Sequence, residues 1–176
     1  TKVLALDDAM SAIGEVLNLN DLSLEETSLV CRSYNNGVWF YNPIKYQLIR
    51  IENRQVINVS SNLSNLLGEN IQPNYLLEFN EKVYLSDMNS GILVFDIYGT
   101  YLKTIPIYDA KAFQVKQKYI LYVNANHQIE IYNLFTLDKS IYRAEKYDDV
   151  KSVRIEGSNI YILSNKNQLI IDKIEL

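Results

Sequence analysis

The sequence predicts an all-β protein, and three observations carry that expectation. First, Tyr occurs 14 times and Ile is abundant, whereas Ala is scarce. Aromatic and β-branched side chains suit a pleated, half-buried surface, and the best helix former is nearly absent. Second, apolar and polar residues alternate at period two, as in Val83/Leu85, Ile92/Val94 and Ile129/Ile131. That period places one set of side chains on one face of a strand. Third, Asn- and Gly-rich clusters punctuate these runs: Asn35-Asn36-Gly37, Asn89-Ser90-Gly91 and Glu156-Gly157-Ser158-Asn159. Such clusters tolerate the positive φ of tight hairpins.

The elements recur in phase. The first hairpin takes Lys2-Val3-Leu4-Ala5-Leu6-Asp7 and Gly14-Glu15-Val16-Leu17. The second takes Gly37-Val38-Trp39-Phe40-Tyr41-Asn42 and Gln47-Leu48-Ile49-Arg50-Ile51. The third takes Lys82-Val83-Tyr84-Leu85-Ser86-Asp87 and Ile92-Leu93-Val94-Phe95-Asp96. Tyr119 to Asn124 and Ile129 to Asn133 make the fourth, and Asn159 to Ser164 and Leu169 to Asp172 the fifth. The equivalent positions Leu4, Trp39, Tyr84, Leu121 and Tyr161 lie 35, 45, 37 and 40 residues apart. Further strands are expected before most hairpins (28–33, 75–80, 111–116, 151–156) and after most of them (55–60, 101–107, 139–144). Only short helical turns are expected: one at 63–67 with Asn62 as cap, one near Ser23 in the loop 18–27.

Four short antiparallel strands repeated at a period of about 40 residues are the pattern of β-propeller blades. One blade cannot bury both of its faces, so neighbouring blades stack and fill the gap with side chains. A β-sandwich or an open solenoid shares the strand spacing, but not the in-phase aromatic hairpin. The chain is thus expected to be one domain, 1–176, of four to five blades: roughly 1–24, 25–70, 71–108, 109–147 and 148–176. The first blade lacks an inner strand and the last an outer one. The expectation is a C-terminal part of a larger ring, with blades upstream.

Composition narrows the function classes. With 17 Lys and Arg against 21 Asp and Glu, the net charge is -4, which disfavours a phosphate-backbone binder. One Cys rules out an intramolecular disulfide framework, and one His rules out a multi-His metal site. No apolar run reaches the roughly 18 residues of a membrane span. The chain opens on Thr1 in an apolar stretch without a charged leader, so a removed leader or missing upstream chain is expected.

The candidate site residues are mostly architectural. In Phe95-Asp96-Ile97-Tyr98-Gly99, Asp96 at a strand end suits capping of turn amides, with a metal or substrate carboxylate as the functional alternative. Gly99 suits a backbone angle that other residues resist. The acid pairs Asp7-Asp8, Glu25-Glu26 and Asp148-Asp149 read as solvated loops, because neighbours on a strand point to opposite faces. His127 falls in a hairpin turn, and Cys31 falls mid-strand as a small core residue. Nucleophile-elbow, P-loop and dinucleotide motifs are missing, as is a calcium loop. No catalytic residue, metal ligand or cofactor is expected. Aromatics cluster as Tyr34, Trp39, Tyr41 and Tyr46, and again as Tyr98, Tyr101 and Tyr108. Most suit blade packing, with Trp39 in the structural blade motif beside Asp96 and Gly99. Tyr46, Tyr98 and Tyr108 are the candidate interaction surface, since Tyr is enriched at binding hot spots.

The run Gly91-Ile92-Leu93-Val94-Phe95-Asp96-Ile97-Tyr98-Gly99-Thr100-Tyr101-Leu102-Lys103-Thr104-Ile105-Pro106-Ile107 resembles a blade of exported bacterial propellers. Leu6-Asp7-Asp8 and Gly37-Val38-Trp39-Phe40-Tyr41-Asn42-Pro43 resemble the preceding blades of that group. The group is similar to the β-propeller-repeat proteins of the Bacteroidota cell envelope, some of which accompany outer-membrane machines such as type 9 secretion. The resemblance implies export, with a periplasmic or outer-membrane-associated place. It brings no catalytic residues.

The expected function is a non-catalytic interaction scaffold or accessory subunit of an envelope complex, with protein partners and no nucleic acid. The alternative is a ligand-binding or enzymatic propeller acting on glycans or peptides, which needs convergent polar groups in a cleft. A third is a domain of a larger receptor.

Overall fold

Alternation and turn chemistry produce a chain built almost wholly of antiparallel hairpins in this computed structural model, which describes residues 2–24, 26–147 and 149–174. The first sheet pairs β1 (Lys2–Leu6) with β2 (Ala12–Asn18). The second holds β3 (Leu29–Arg32), β4 (Val38–Asn42), β5 (Gln47–Glu52) and β6 (Gln55–Val59) in sequence order. The third holds β7 (Pro73–Phe79), β8 (Lys82–Asp87), β9 (Gly91–Asp96) and β10 (Tyr101–Ile105). In the fourth are β11 (Phe113–Lys116), β12 (Tyr119–Val123), β13 (Ile129–Asn133) and β14 (Lys139–Ile141). The fifth has three strands, β15 (Val150–Glu156), β16 (Asn159–Ser164) and β17 (Leu169–Lys173). These are blade-like sheets of a β-propeller-type fold, each a meander of neighbouring strands.

Strands β3, β10, β11 and β14 are each two or three residues shorter than the sequence suggests, β10 and β14 for local reasons. β10 stops at Ile105 because Pro106 has no N–H to continue a ladder. β14 ends at Ile141, where one more bond, Tyr142 N–H to Ile129 O, precedes a turn in which Tyr147 N donates to Arg143 O. The turn at 63–67 is a single helical turn, α1 (Leu63–Leu67). Asn62 accepts from Asn65 N at 2.8 Å, and Gly68 closes the turn at φ 74°. A 3₁₀ turn spans Leu19–Leu22, with Ser23 left-handed behind it.

By its internal contacts the chain divides into two compact units, Thr1–Leu85 with Leu93–Thr104, and Ser86–Ile92 with Ile105–Leu176. In the first unit, β4 shows how stacking works. Phe40 points to one side and packs with Leu19, Leu24, Ile49 and Ile51, joined by Val3 and Leu17 of the first sheet. Trp39 and Tyr41 point to the other side and pack with Leu48, Leu63, Leu76, Val83, Leu85, Leu93 and Phe95. Burial on both faces explains why β4 reads as a continuous apolar run, Val38-Trp39-Phe40-Tyr41, rather than clean alternation. In the second unit, Leu121, Ile129 and Ile131 pack on Val150, Ile155, Ile160, Ile162 and Ile174, with Tyr147 among them.

Candidate functional site

Three places gather polar chemistry, and the first lies inside the first unit. Arg50 sits in the middle of β5, between two apolar layers, and is 1% exposed. A guanidinium cannot lose its charge, so burial there demands partners for all its N–H groups. Its Nε donates to Ser33 Oγ at 2.9 Å, and its Nη2 donates to Tyr34 O at 2.9 Å and to Glu52 Oε2 at 2.7 Å. The guanidinium lies 3.8 Å from the centre of the Tyr34 ring. Ser33 passes the chain on by donating its hydroxyl to Glu78 Oε2 of β7. That carboxylate also accepts the Trp39 indole N–H at 2.8 Å and the Tyr34 N–H at 3.0 Å. Gly37 leaves room for this, since a Cβ there would stand 2.9 Å from Arg50 Nη2. An open groove of about 330 Å³ lies over the network, lined by Arg32, Ser33, Tyr34, Asn35, Asn36 and Glu78.

Chemically, this arrangement is a tie. The oxygens of Glu78 are occupied by N–H and O–H donors from the second sheet, and Ser33 is clamped between a cation and that carboxylate. Beside it, Cys31 is half-buried, and its thiol is pushed up to about 12 by burial and then by the negative charge of Glu78. A thiol so raised is not a nucleophile near neutral pH.

The second place is in the second unit. Asp172 of β17 accepts from Lys146 Nζ, from Tyr147 OH and, at 3.3 Å, from Arg143 Nη1. Lys146 first, and then Tyr147, hold its carboxyl well below the usual carboxylate range. Tyr142 and Tyr147 stack at 6.2 Å and 9°. Next to this clamp is a cleft of about 110 Å³ with Val150, Ile162 and Ile170 as apolar walls and Lys146, Asp149, Ser164, Lys166 and Gln168 as polar ones. The third place is Glu130, also in the second unit. It accepts from Tyr122 OH at 2.6 Å and from Asn124 Nδ2 at 3.1 Å, and pairs with Lys139 Nζ at 3.6 Å. Burial, and then the bond to Glu130, push the Tyr122 phenol well above its ordinary range.

The residues singled out from sequence distribute as follows. Trp39 is fully buried in the first unit's core. Asp96 accepts from Tyr98 N and Thr100 N at 2.9 Å each, so it caps the β9–β10 turn. Gly99 stands at φ 88°, and a Cβ there would meet Ser60 N at 3.3 Å and the Trp39 ring at 3.5 Å. Tyr98 is 63% exposed at the tip of that capped turn, and Tyr108 is 51% exposed. Tyr46 differs: it is half-buried at φ 51° and packs against the core of the first unit. Tyr101 meets Phe95 edge to face at 5.8 Å. His127 is exposed at φ 59°, with Asn165 Nδ2 3.3 Å from its Nδ1. Of the acid pairs, Asp7 caps its own turn through Ala9 N and Ser11 N. Glu25 and Asp148 lie outside the described residues. Among the described residues, no three of His, Cys, Asp and Glu come together as a metal site. None of their helices is long and apolar enough to cross a membrane.

Sequence reading missed Arg50, Glu78 and Glu130. A charge inside an apolar strand run, as in Leu48-Ile49-Arg50-Ile51 and Leu76-Leu77-Glu78-Phe79, signals the need for a partner without naming it.

No protein-family model matches the sequence, and no curated protein matches it. Solved structures do. The N-terminal part of BBS1, solved in complex with ARL6, is similar over 99% of this chain and 53% of its own, with a TM-score of 0.66 and 13% identity. The computationally designed Ika4 protein is similar over 85% of this chain and 91% of its own, with a TM-score of 0.60 and 11% identity. The extracellular domain of a protein described as a hybrid two-component system of B. thetaiotaomicron is similar over 84% of this chain and 23% of its own, with a TM-score of 0.56 and 10% identity. This chain thus spans about half of the first of these and under a quarter of the last. At such identities the likeness is one of fold.

Proposed function

We propose that the chain is a non-catalytic interaction module, a scaffold or accessory subunit of a bacterial envelope assembly. We place it in the periplasm or at the outer membrane, and the type 9 secretion translocon is the first assembly to test. The observation that carries this reading is Tyr98: a large aromatic side chain, 63% exposed, on a turn made rigid by two bonds to Asp96. A fixed, exposed Tyr is the kind of group that anchors a protein interface at low entropic cost. The polar clusters support the reading, because the carboxylates of Glu78, Asp172 and Glu130 are each engaged by neighbouring donors and work as ties. Two similar folds are extracellular domains of B. thetaiotaomicron proteins, in keeping with an exported place.

The test is purification of the tagged full-length protein from its native envelope under mild detergent, followed by mass spectrometry. Stoichiometric recovery of envelope subunits is expected, with loss on Tyr98→Ala at unchanged expression. Recovery of the protein alone would sink the scaffold reading. The alternative, a ligand-binding or enzymatic propeller acting on glycans or peptides, draws on the cleft beside Lys146 and Lys166. Saturable binding in a glycan or peptide screen, abolished by Lys166→Ala, would favour it.

A further inference from the structure

The turn between β13 and β14 exposes apolar groups that no packing need explains. Phe135 is 80% exposed and Leu137 59% exposed, six and four residues before Ile141 at 48%. The tip is not loose. Asn133 Oδ1 accepts from Phe135 N at 2.9 Å and from Thr136 N at 3.2 Å. Asn133 O accepts from Leu137 N, and Asn133 N donates to Asp138 O, both at 2.9 Å. Leu137 stands at φ 65°, a left-handed position where Gly or Asn costs less and where an exposed Leu adds nothing to the fold. The neighbouring β11–β12 turn is joined to this tip by Leu134 N donating to Lys118 O at 2.8 Å.

These two turns, 116–118 and 133–139, carry Lys116, Lys118 and Lys139, with Asp138 in the turn and Glu130 beside Lys139 as the facing carboxylates. Lys139 also reaches Glu130 at 3.6 Å, and Lys116 Nζ bonds to Gly157 O at 2.8 Å, which fixes that ammonium at this end of the sheet. The cations are notable in a chain whose net charge is -4. A convex apolar tip offers no groove to a peptide and no flat face to a sheet. It fits a continuous apolar phase whose rim is negative. We infer that Phe135 and Leu137 insert into the headgroup–acyl boundary of an anionic phospholipid bilayer, with Lys116 and Lys118 against its headgroups. Apolar burial and attraction to anionic lipid act together in such peripheral contacts, and neither suffices alone. The inference stands apart from the scaffold reading, since a lipid contact needs no protein partner.

Flotation of the intact protein with vesicles of phosphatidylglycerol and phosphatidylethanolamine tests it, against vesicles of phosphatidylcholine alone. Binding to the anionic vesicles is expected, weakened by salt, with at least about a tenfold loss of partitioning in a Phe135→Ser/Leu137→Asn double variant, the scale of one buried aromatic side chain. A Phe135→Trp variant gives a second readout. Trp39 is buried, so a blue shift on adding anionic vesicles, absent from the parent protein, reports the tip. Equal binding to both vesicle types, binding to neither, or a double variant that floats like the parent protein overturns the proposal. Unchanged thermal unfolding of the variants confirms that the tip, not the fold, was altered.

Discussion

Trp39 of β4 donates its indole N–H to the carboxylate of Glu78 in β7 across 2.8 Å, tying two neighbouring sheets at a fully buried ring. The same carboxylate takes the Ser33 hydroxyl and the Tyr34 N–H, and Ser33 in turn takes a bond from Arg50. Apolar stacking would hold two sheets together at several offsets. A carboxylate with three directed donors selects one, which is the role physical chemistry assigns to a satisfied polar network.

Removing Glu78 therefore strands several buried donors at once. Glu78→Ala is expected to cost about 3–5 kcal/mol, the range for breaking one side of a buried charged network. Glu78→Gln is expected to cost about 1–3 kcal/mol, because its amide N–H₂ must face a donor it cannot accept from. Urea unfolding measures both. Losses under about 0.5 kcal/mol for both, the level of an ordinary surface change, would show that apolar packing alone fixes the pair of sheets.

The strand pattern was legible because period-two alternation survives wherever one face meets solvent, as in Phe113, Val115 against Gln114, Lys116. The turns were legible because Asp96 and Asn42 cap them with their own side chains: Asn42 Oδ1 accepts from Ile44 N and Lys45 N at 3.0 Å each. The ties were not legible, since Arg50 and Glu78 lie 28 positions apart and nothing local in either strand names the other. Tyr46 shows the limit from the other side. It lies in a turn, but its ring reaches back to the core, and no sequence spacing states where a turn side chain points. Tyr98 also lies in a turn, yet its side chain is 63% exposed.

Gly99 is predicted to tolerate a side chain less well than Gly14, Gly68 and Gly157, which also stand at positive φ. Its φ of 88° penalises any L residue, and a Cβ would also press on the backbone N of Ser60 at 3.3 Å. Gly157, at φ 57°, has nothing within 4 Å of a Cβ. Gly157→Ala is expected to cost about 1 kcal/mol from backbone strain alone, and Gly99→Ala about 2 kcal/mol or more. Equal shifts in denaturation midpoint would mean that Ser60 yields at no cost, despite the buried bond its Oγ accepts from Leu48 N at 2.9 Å.

The Asp172 clamp predicts a local response to acid. Its carboxyl is held low by Lys146 and Tyr147, so its contribution is complete above the ordinary carboxylate range and is lost as pH falls through the lowered value. The segment 142–147 that the clamp holds is expected to gain amide exchange in Asp172→Asn at neutral pH, while β4 and β5 stay protected. Exchange of Tyr147 N–H at the wild-type rate in that variant would show that stacking with Tyr142 suffices.

Cys31 gives the alkaline counterpart and a chemical reporter of the Glu78 tie. Its thiol is raised from 9.0 to about 12, by burial first and the Glu78 charge second. A folded value above the unfolded one means that stability is full below about pH 9 and is lost as pH rises toward 12, because only the unfolded chain ionises easily in that window. Tyr122, raised by burial and by its bond to Glu130, pushes in the same direction at still higher pH. At pH 8 the native thiol should resist a disulfide reagent by orders of magnitude relative to the urea-unfolded chain, since the thiolate is the attacking species. Glu78→Gln removes the nearby negative charge and lowers the thiol's pKa, so its reactivity at pH 9 should rise even where the protein remains folded. Reaction at the unfolded rate in the native protein would mean that the strand pair β3–β4 opens freely, and that Glu78 does not hold the two sheets together.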